Sequence, residues 1–279
     1  MNHLISLRST WRILPVALAI FFLIGAGSLA VFASSLPLRD PYAQRSEDRL
    51  QPPSAKYWLG TDDLGRDVMS RVIYGGRYSL SVGLVAVGLA FMIGVPLGIV
   101  GGYAGGWTDR VLMSIVEIVM AVPGILLALV MISILGPSLG NVMIAVGISQ
   151  IPAYARQARG GTLSIAHQEF VLAARVAGTS SFRILVRHVL PNVLAPVLVV
   201  ATLGLGSAIL EAAALSFLGL SGDPNRPEWG SMLNMTRERF QDQPWLVLVP
   251  GFAITASVLS FNVLGDALRD WLDPKSRRS

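Results

Sequence analysis

The sequence contains no cysteine, only two lysines and only three histidines in 279 residues. Without cysteine there is no disulfide, no thiolate metal site and no sulfur nucleophile. His3, His167 and His188 lie far apart, and neither HExxH nor Gly-x-Ser-x-Gly occurs. The residue sets of zinc and serine hydrolases are therefore missing, and no catalytic residue and no metal ligand is expected. Neither Lys56 nor Lys275 follows a glycine-rich loop. A phosphate cradle of the form Gly-x-x-x-x-Gly-Lys-Ser/Thr is absent, so the chain is expected to bind no nucleotide cofactor and hydrolyse none.

Charge is scarce as well. Charged residues make up 14% of the chain, against about 25% in soluble domains. The mean hydropathy of +0.59 fits a chain solvated largely by lipid. The net charge of +5 comes from scattered arginines with no interleaved base-stacking aromatics. Nucleic acid is not an expected partner; membrane lipid is.

Long apolar runs are what the chain has instead. Residues 13–38, 78–108 and 243–265 carry no charge; 111–155 carries only Glu117, and 189–222 only Glu211. A span needs roughly 20 apolar residues at 1.5 Å rise each. The 111–155 run is long enough for two, and "LGPSLGN" at 135–141 supplies a Gly/Pro break between them. The expected fold is an all-α membrane protein with six transmembrane helices. The first run is read as an anchor in place of a cleaved signal peptide, because five further spans follow it.

Orientation follows from loop charge. With the N-terminus in the cytoplasm, the inner segments hold 12 Lys and Arg and the outer loops 10. That difference is small, but the outer loop at 39–77 also carries six acids, and long loops cross with weaker regard for charge. The basic end "LRDWLDPKSRRS" decides for N-in, C-in. The expected organisation is a cytoplasmic N-terminus at 1–12, a first span at 13–36 and an extracytoplasmic loop with an interfacial helix at 37–77. A five-helix core at 78–268 and a cytoplasmic tail at 269–279 complete it. Within the outer loop, "GTDDLGRD" should form turns in which Asp62, Asp63, Arg66 and Asp67 pair locally or face solvent. Trp229 and Trp245 read as interfacial anchors. Glycines at 94–106 and 204–208 read as close helix packing.

The cytoplasmic segment at about 156–190 is the most informative stretch. "IAHQEFVLAARVA" at 165–177 has helical spacing, with Glu169 and Leu172 on one stripe and Ala173, Ala174 and Ala177 near another. Gly178 is placed as a helix C-cap, where positive φ costs little. Thr179, Ser180 or Ser181 can N-cap a second short helix, "FRILVRHVL", in which Arg183 and Arg187 share a face. Pro191 fits the first turn of the next span. Two short helices should meet at a glycine corner and run rigidly into a transmembrane helix.

This pattern resembles the cytoplasmic "EAA" loop of ATP-binding-cassette importer permeases. That loop reads Glu-Ala-Ala, three residues, Gly, about nine residues, a hydrophobic position, any residue, then Leu-Pro. Here the matching positions are Leu172-Ala173-Ala174, Gly178, His188, Leu190 and Pro191, with Leu172 where the name-giving glutamate stands. Glu169, one turn earlier, is the candidate replacement acid. "LGTDDLGRDVMSRVIYGGRYSLSVG" at 59–83, "PEWGSML" at 227–233 and "PWLVLVPGFAITASVLSFNVLGDALRDWLDP" at 244–274 are similar to the peptide/nickel branch, dipeptide-permease C type. The resemblance implies the type I importer permease fold in the inner or plasma membrane of a prokaryote. It also implies a second homologous permease subunit, two ATP-binding-cassette ATPase subunits that bind ATP and Mg, and an extracytoplasmic substrate-binding protein.

By the same resemblance, Glu169, Ala173, Ala174, Gly178, Arg183, Arg187, Leu190 and Pro191 would couple the chain to the ATPases. Di- or oligopeptides are the leading substrate; nickel, glutathione or another small solute is the alternative. Intramembrane polar groups usually face a partner or a cavity, so Glu211 and Asn262 are the candidate lining of the translocation path. A self-sufficient secondary transporter would show internal repeats and clustered ionisable groups; no repeat is evident, and the acids in the spans are isolated.

Overall fold

Five prolines lie inside long helices of this chain, at positions 15, 96, 152, 196 and 250, without ending them. The computed structural model describes the backbone of residues 2–272 and the side chains of residues 13–272. The expected tail beyond 272, and the side chains of the expected N-terminal segment at 1–12, fall outside the described residues. The elements in order are α1 (Asn2–Val31), α2 (Val68–Ala104), α3 (Gly106–Met120), α4 (Gly124–Leu135), α5 (Leu139–Ala166), α6 (Glu169–Val176) and α7 (Ser181–Ile184). A π-helical turn at Leu185–Val189 leads into α8 (Leu190–Phe217), followed by α9 (Trp229–Thr236) and α10 (Trp245–Leu272). Among the described residues the only strand-like pairing is one bridge, Thr61 to Asp67.

Four helical stretches are long and apolar enough to cross a bilayer: Ile13–Val31, Val68–Ala104, Ser181–Phe217 and Trp245–Leu272. α3 and α4 together are apolar enough for a fifth, but they bend by 86° at a break over residues 121–123. Sequence reading placed a break at 135–141, which the chain also has, and did not foresee this one. α5 is long enough but too polar to qualify on composition, because Asn141, Gln150, Arg156 and Arg159 lie on it. It compensates by burial. α5 runs through the middle of the bundle, against α2, α4 and α8.

Small residues set that packing. A Cβ on Gly98 would strike the Ala155 carbonyl and lie 2.8 Å from the Ala158 methyl, so only glycine lets α2 and α5 approach this closely. Val82, Ala86, Ala90, Val142, Ala145, Val146, Ala208 and Ala212 fill the seam among α2, α5 and α8. Dispersion between close-packed backbones replaces the hydrophobic effect, which lipid cannot supply.

α2 is one continuous helix of 37 residues, about 55 Å long. Its first turns are the stretch at 68–77 that the sequence suggested as a separate interfacial helix. Asp67 starts it by accepting the Ser70 N–H at 2.9 Å.

The loops at 39–67 and 223–243 fold against these first turns. Arg66 and Arg71 are each 1% exposed, so the solvated face allowed by the sequence is a buried polar cluster instead. Asp62 accepts Arg66 Nε at 2.7 Å and lies 3.6 Å from Arg71 Nε. Arg71 Nη1 donates to the carbonyls of Pro41 and Asn225, and Arg66 Nη1 donates to Asn225 Oδ1. Asp63 pairs with Arg239 at 3.0 Å. Trp229, expected at the lipid interface, is buried, and its Nε1 donates to the Val72 carbonyl at 2.9 Å. Asp62 and Arg66 pair locally, as the sequence allowed, while Arg66, Arg71 and Asp63 also reach Asn225 and Arg239 in the distant loop at 223–243.

A coupling elbow and a polar seam in the membrane

The elbow begins where α5 ends at Ala166. A turn at His167–Gln168 reverses the chain, and α6 follows with Glu169 exposed in its first turn. Acid at a helix N-terminus is favoured by the helix dipole. Gly178 has φ +76°, the left-handed corner expected from the sequence. Hydrogen bonds from Ala177 N to Ala173 O (2.9 Å) and Thr179 N to Ala174 O (3.1 Å) close the end of α6 around it. Ser180 occupies the N-cap position of α7 without a side-chain hydrogen bond. Arg183 and Arg187 are exposed on the far side.

Two faces of the elbow differ sharply. Val171, Ile184 and Val189 are almost wholly buried and belong to the same core as α2, α5 and α8; Ala174 and Leu190 pack against it. The opposite face shows Val176 at 90% and Phe182 at 76% exposed, with Phe170, Leu172, Val186 and Ala173 also open. Arg175 stacks over the Tyr103 ring, 5.6 Å from its centroid, and so ties α6 to the end of α2. α7, the π turn and α8 form one unbroken helical path, with Pro191 in the first turn of α8. Asn192 Nδ2 donates to the His188 carbonyl at 2.7 Å where the helical register changes. The elbow is a rigid, core-anchored bracket with an exposed apolar outer face.

The two candidate path residues occupy different faces of α8's surroundings. Glu211, on α8, faces α5; Ser149 Oγ lies 3.5 Å from its Oε2. Asn262, on α10, sits across from Gly206, its Oδ1 3.3 Å from where a Cβ there would be. The structure does not bring the two together. Around Glu211 it gathers residues the sequence reading passed over. Gln150 Nε2 and Tyr154 OH are buried without a hydrogen-bond partner, and both side chains flank Gly204 on α8. At the other end of α5, Arg159 clamps Asp109 through two bonds of 2.6 Å. These fifty-residue separations leave no local trace in sequence. Only the i, i+4 spacing of Gln150 and Tyr154 on an apolar helix hints at the seam.

Residues 94–278 match the family described as binding-protein-dependent transport system inner membrane component. The chain belongs to this family. It is 48% identical over 249 residues to the dipeptide transport system permease protein DppC of Alkalihalophilus pseudofirmus, covering 89% of this chain and 82% of that one. It is 41% identical to the glutathione transport system permease protein GsiD of Pectobacterium atrosepticum, covering 97% and 93%. A third relative, DppC of Haemophilus influenzae, is 39% identical, covering 94% and 90%.

Among solved structures, the inward-facing MetNI methionine ABC transporter aligns with a TM-score of 0.59 at 19% identity, covering 74% of this chain and 98% of that one. An amino acid ABC transporter aligns at 0.56 and 15%, covering 76% and 95%. These structural likenesses show the fold. The permease is thus an all-α inner-membrane subunit of an ATP-binding-cassette importer.

Proposed function

We propose that this permease moves di- or oligopeptides into the cytoplasm, drawing its energy from separate ATPase subunits through the elbow at 165–191. The carrying observation is the elbow itself. It has an exposed apolar face, a glycine corner, and three buried anchors in the helix core. Its exit continues directly into α8. A load applied to Val176 and Phe182 would therefore be delivered to α8 and α5 with little give.

In this reading six spans cross the membrane N-in, C-in, with α5 as the buried sixth. A second homologous permease completes the pore, two ATPases bind ATP and Mg and seat the elbow, and an extracytoplasmic binding protein delivers substrate. Ala173, Gly178, Arg183 and Arg187 meet the ATPase; Ala174 and Leu190 hold the elbow to the bundle; Pro191 opens α8; Glu169 supplies the motif acid. Glu211 and Asn262 line separate stretches of the path. Peptide is favoured over nickel by the names of the relatives; glutathione, itself a tripeptide, is the second reading, which GsiD supports.

Two measurements test this. A cysteine introduced at Arg183 in this cysteine-free chain should react with a membrane-impermeant thiol reagent only from the cytoplasmic side. Labelling from outside in sealed cells would overturn the orientation and the coupling role together. Uptake of labelled dialanine, in competition with glutathione and with nickel, separates the substrates.

A further inference from the structure

Glu211 is a carboxylate on an apolar helix, and no ion pair reaches it among the described residues. An uncompensated carboxylate at membrane depth is costly and normally faces a partner or a cavity. Ser149 gives it little: its Oγ donates to the Val146 carbonyl at 2.8 Å and only grazes Glu211 at 3.5 Å. Gln150 approaches the same carboxylate, yet its Nε2 stays buried without a partner, as does Tyr154 OH farther down the seam. Buried polar groups without partners are rare in folded proteins, and here one, on Gln150, borders a lone charge.

The break between α3 and α4 abuts this seam. A Cβ on Gly124, the first residue of α4, would lie 3.5 Å from Ser149 Oγ. Pro123 has no N–H to give, and the 86° bend removes the next donors. The carbonyls of Val119, Met120, Ala121 and Val122 consequently accept no backbone hydrogen bond among the described residues. Residues 121–123 are exposed, and irregular backbone at membrane depth persists only inside protein or along a water-filled cavity.

We infer that the seam formed by Glu211, Ser149 and Gln150, beside the broken α3–α4 helix, is a binding site for the free ammonium group of a short peptide in transit. This rests on the peptide reading above. The chemistry on offer is acceptor-rich: the Glu211 carboxylate and the unpaired carbonyls at the end of α3. An ammonium group brings three donors and a compensating charge, and so matches it. A free carboxylate would be repelled by Glu211. A metal ion would need a denser set of ligands, and no group of three His, Cys, Asp or Glu side chains occurs among the described residues. Dipeptides and glutathione both carry the required ammonium.

The test uses the assembled importer in lipid nanodiscs without its binding protein, probed with labelled dialanine. Saturable binding is expected, displaced by dialanine methyl ester, which keeps the ammonium, and not by N-acetyl-dialanine, which lacks it. Glu211→Gln should weaken binding at least tenfold at unchanged membrane abundance, with Glu211→Asp between the two. Absence of saturable binding, equal displacement by N-acetyl-dialanine, or wild-type affinity in Glu211→Gln would each overturn the site. The competition arm needs no variant, so misfolding cannot mask the answer. If the complete importer with its binding protein moves peptide normally despite Glu211→Gln, this inference alone fails. If the wild type moves no peptide, the functional reading fails with it.

Discussion

Replacing Gly178 by valine isolates the mechanical role of the elbow. No heavy atom lies within 4 Å of the position a Cβ would take there, so crowding adds nothing to the cost. What remains is the backbone, held at φ +76°. An L-residue in that region costs about 1–2 kcal/mol, with β-branched residues at the upper end. The anchors Val171, Ile184 and Val189 oppose unfolding, since burying each aliphatic side chain contributes about 1.5–3 kcal/mol. The strain is therefore smaller than the anchoring, and the chain should fold and reach the membrane.

The corner itself yields, and 1–2 kcal/mol removes the competent elbow geometry by roughly 5–30-fold. Uptake and substrate-stimulated ATPase activity per complex should fall by that factor. Gly178→Ala should lose less, and Gly178→Asn least, because asparagine enters the left-handed region readily. The assay is labelled-peptide uptake in ATP-loaded right-side-out vesicles, normalised to permease abundance. Full uptake by Gly178→Val would refute the argument. So would an asparagine variant as defective as valine, since that would make side-chain bulk the cause.

Other perturbations probe the outer cluster and the inner clamp. Arg66→Met leaves Asp62 buried with Arg71 Nε, 3.6 Å away, as its remaining ion pair, and a loss smaller than the about 3–5 kcal/mol of a wholly unpaired buried charge should appear as a lower melting temperature; adding Asp62→Asn should recover part of it. Burial pushes the Glu228 carboxyl above its ordinary value near 4.5, against the Gly230 and Ser231 N–H groups that donate to it. The folded state then holds this proton more tightly than the unfolded chain, so stability from this group is lost as pH rises through the raised value. The melting temperature of wild type relative to Glu228→Gln should therefore fall as pH rises above the ordinary carboxylate range; a flat difference would refute the assignment. Asp109→Arg or Arg159→Asp alone should cost about 1 kcal/mol or less of stability, since Arg159 is partly exposed, and the double swap should restore it in a double-mutant cycle.

Proline shows how local and tertiary information divide here. Positions 15, 96, 152, 196 and 250 carry proline within unbroken helices, whereas Pro123 sits at an 86° bend. The fixed φ of proline is the same in all of these cases and does not by itself separate them. The reverse holds at the elbow. Its corner was legible because Gly178 sits where helical spacing stops, and its exit because Pro191 suits a first helical turn. Both depend on φ preferences of single residues, which sequence carries directly.

The sequence by itself determined the apolar runs, the absence of the Gly-x-x-x-x-Gly-Lys, HExxH and Gly-x-Ser-x-Gly motifs, and the position of the elbow. These follow from composition and from interactions within one or two helical turns. Tertiary structure decided that Arg66 and Arg71 are buried, that Trp229 lies inside the fold, and that Glu211 meets α5 and not Asn262. Each of those outcomes depends on which distant segment covers the group, because the energy of a charge is set by its surroundings. In lipid, where apolar surface alone does not order the helices, that choice falls to packing and polar pairing between residues far apart in the chain.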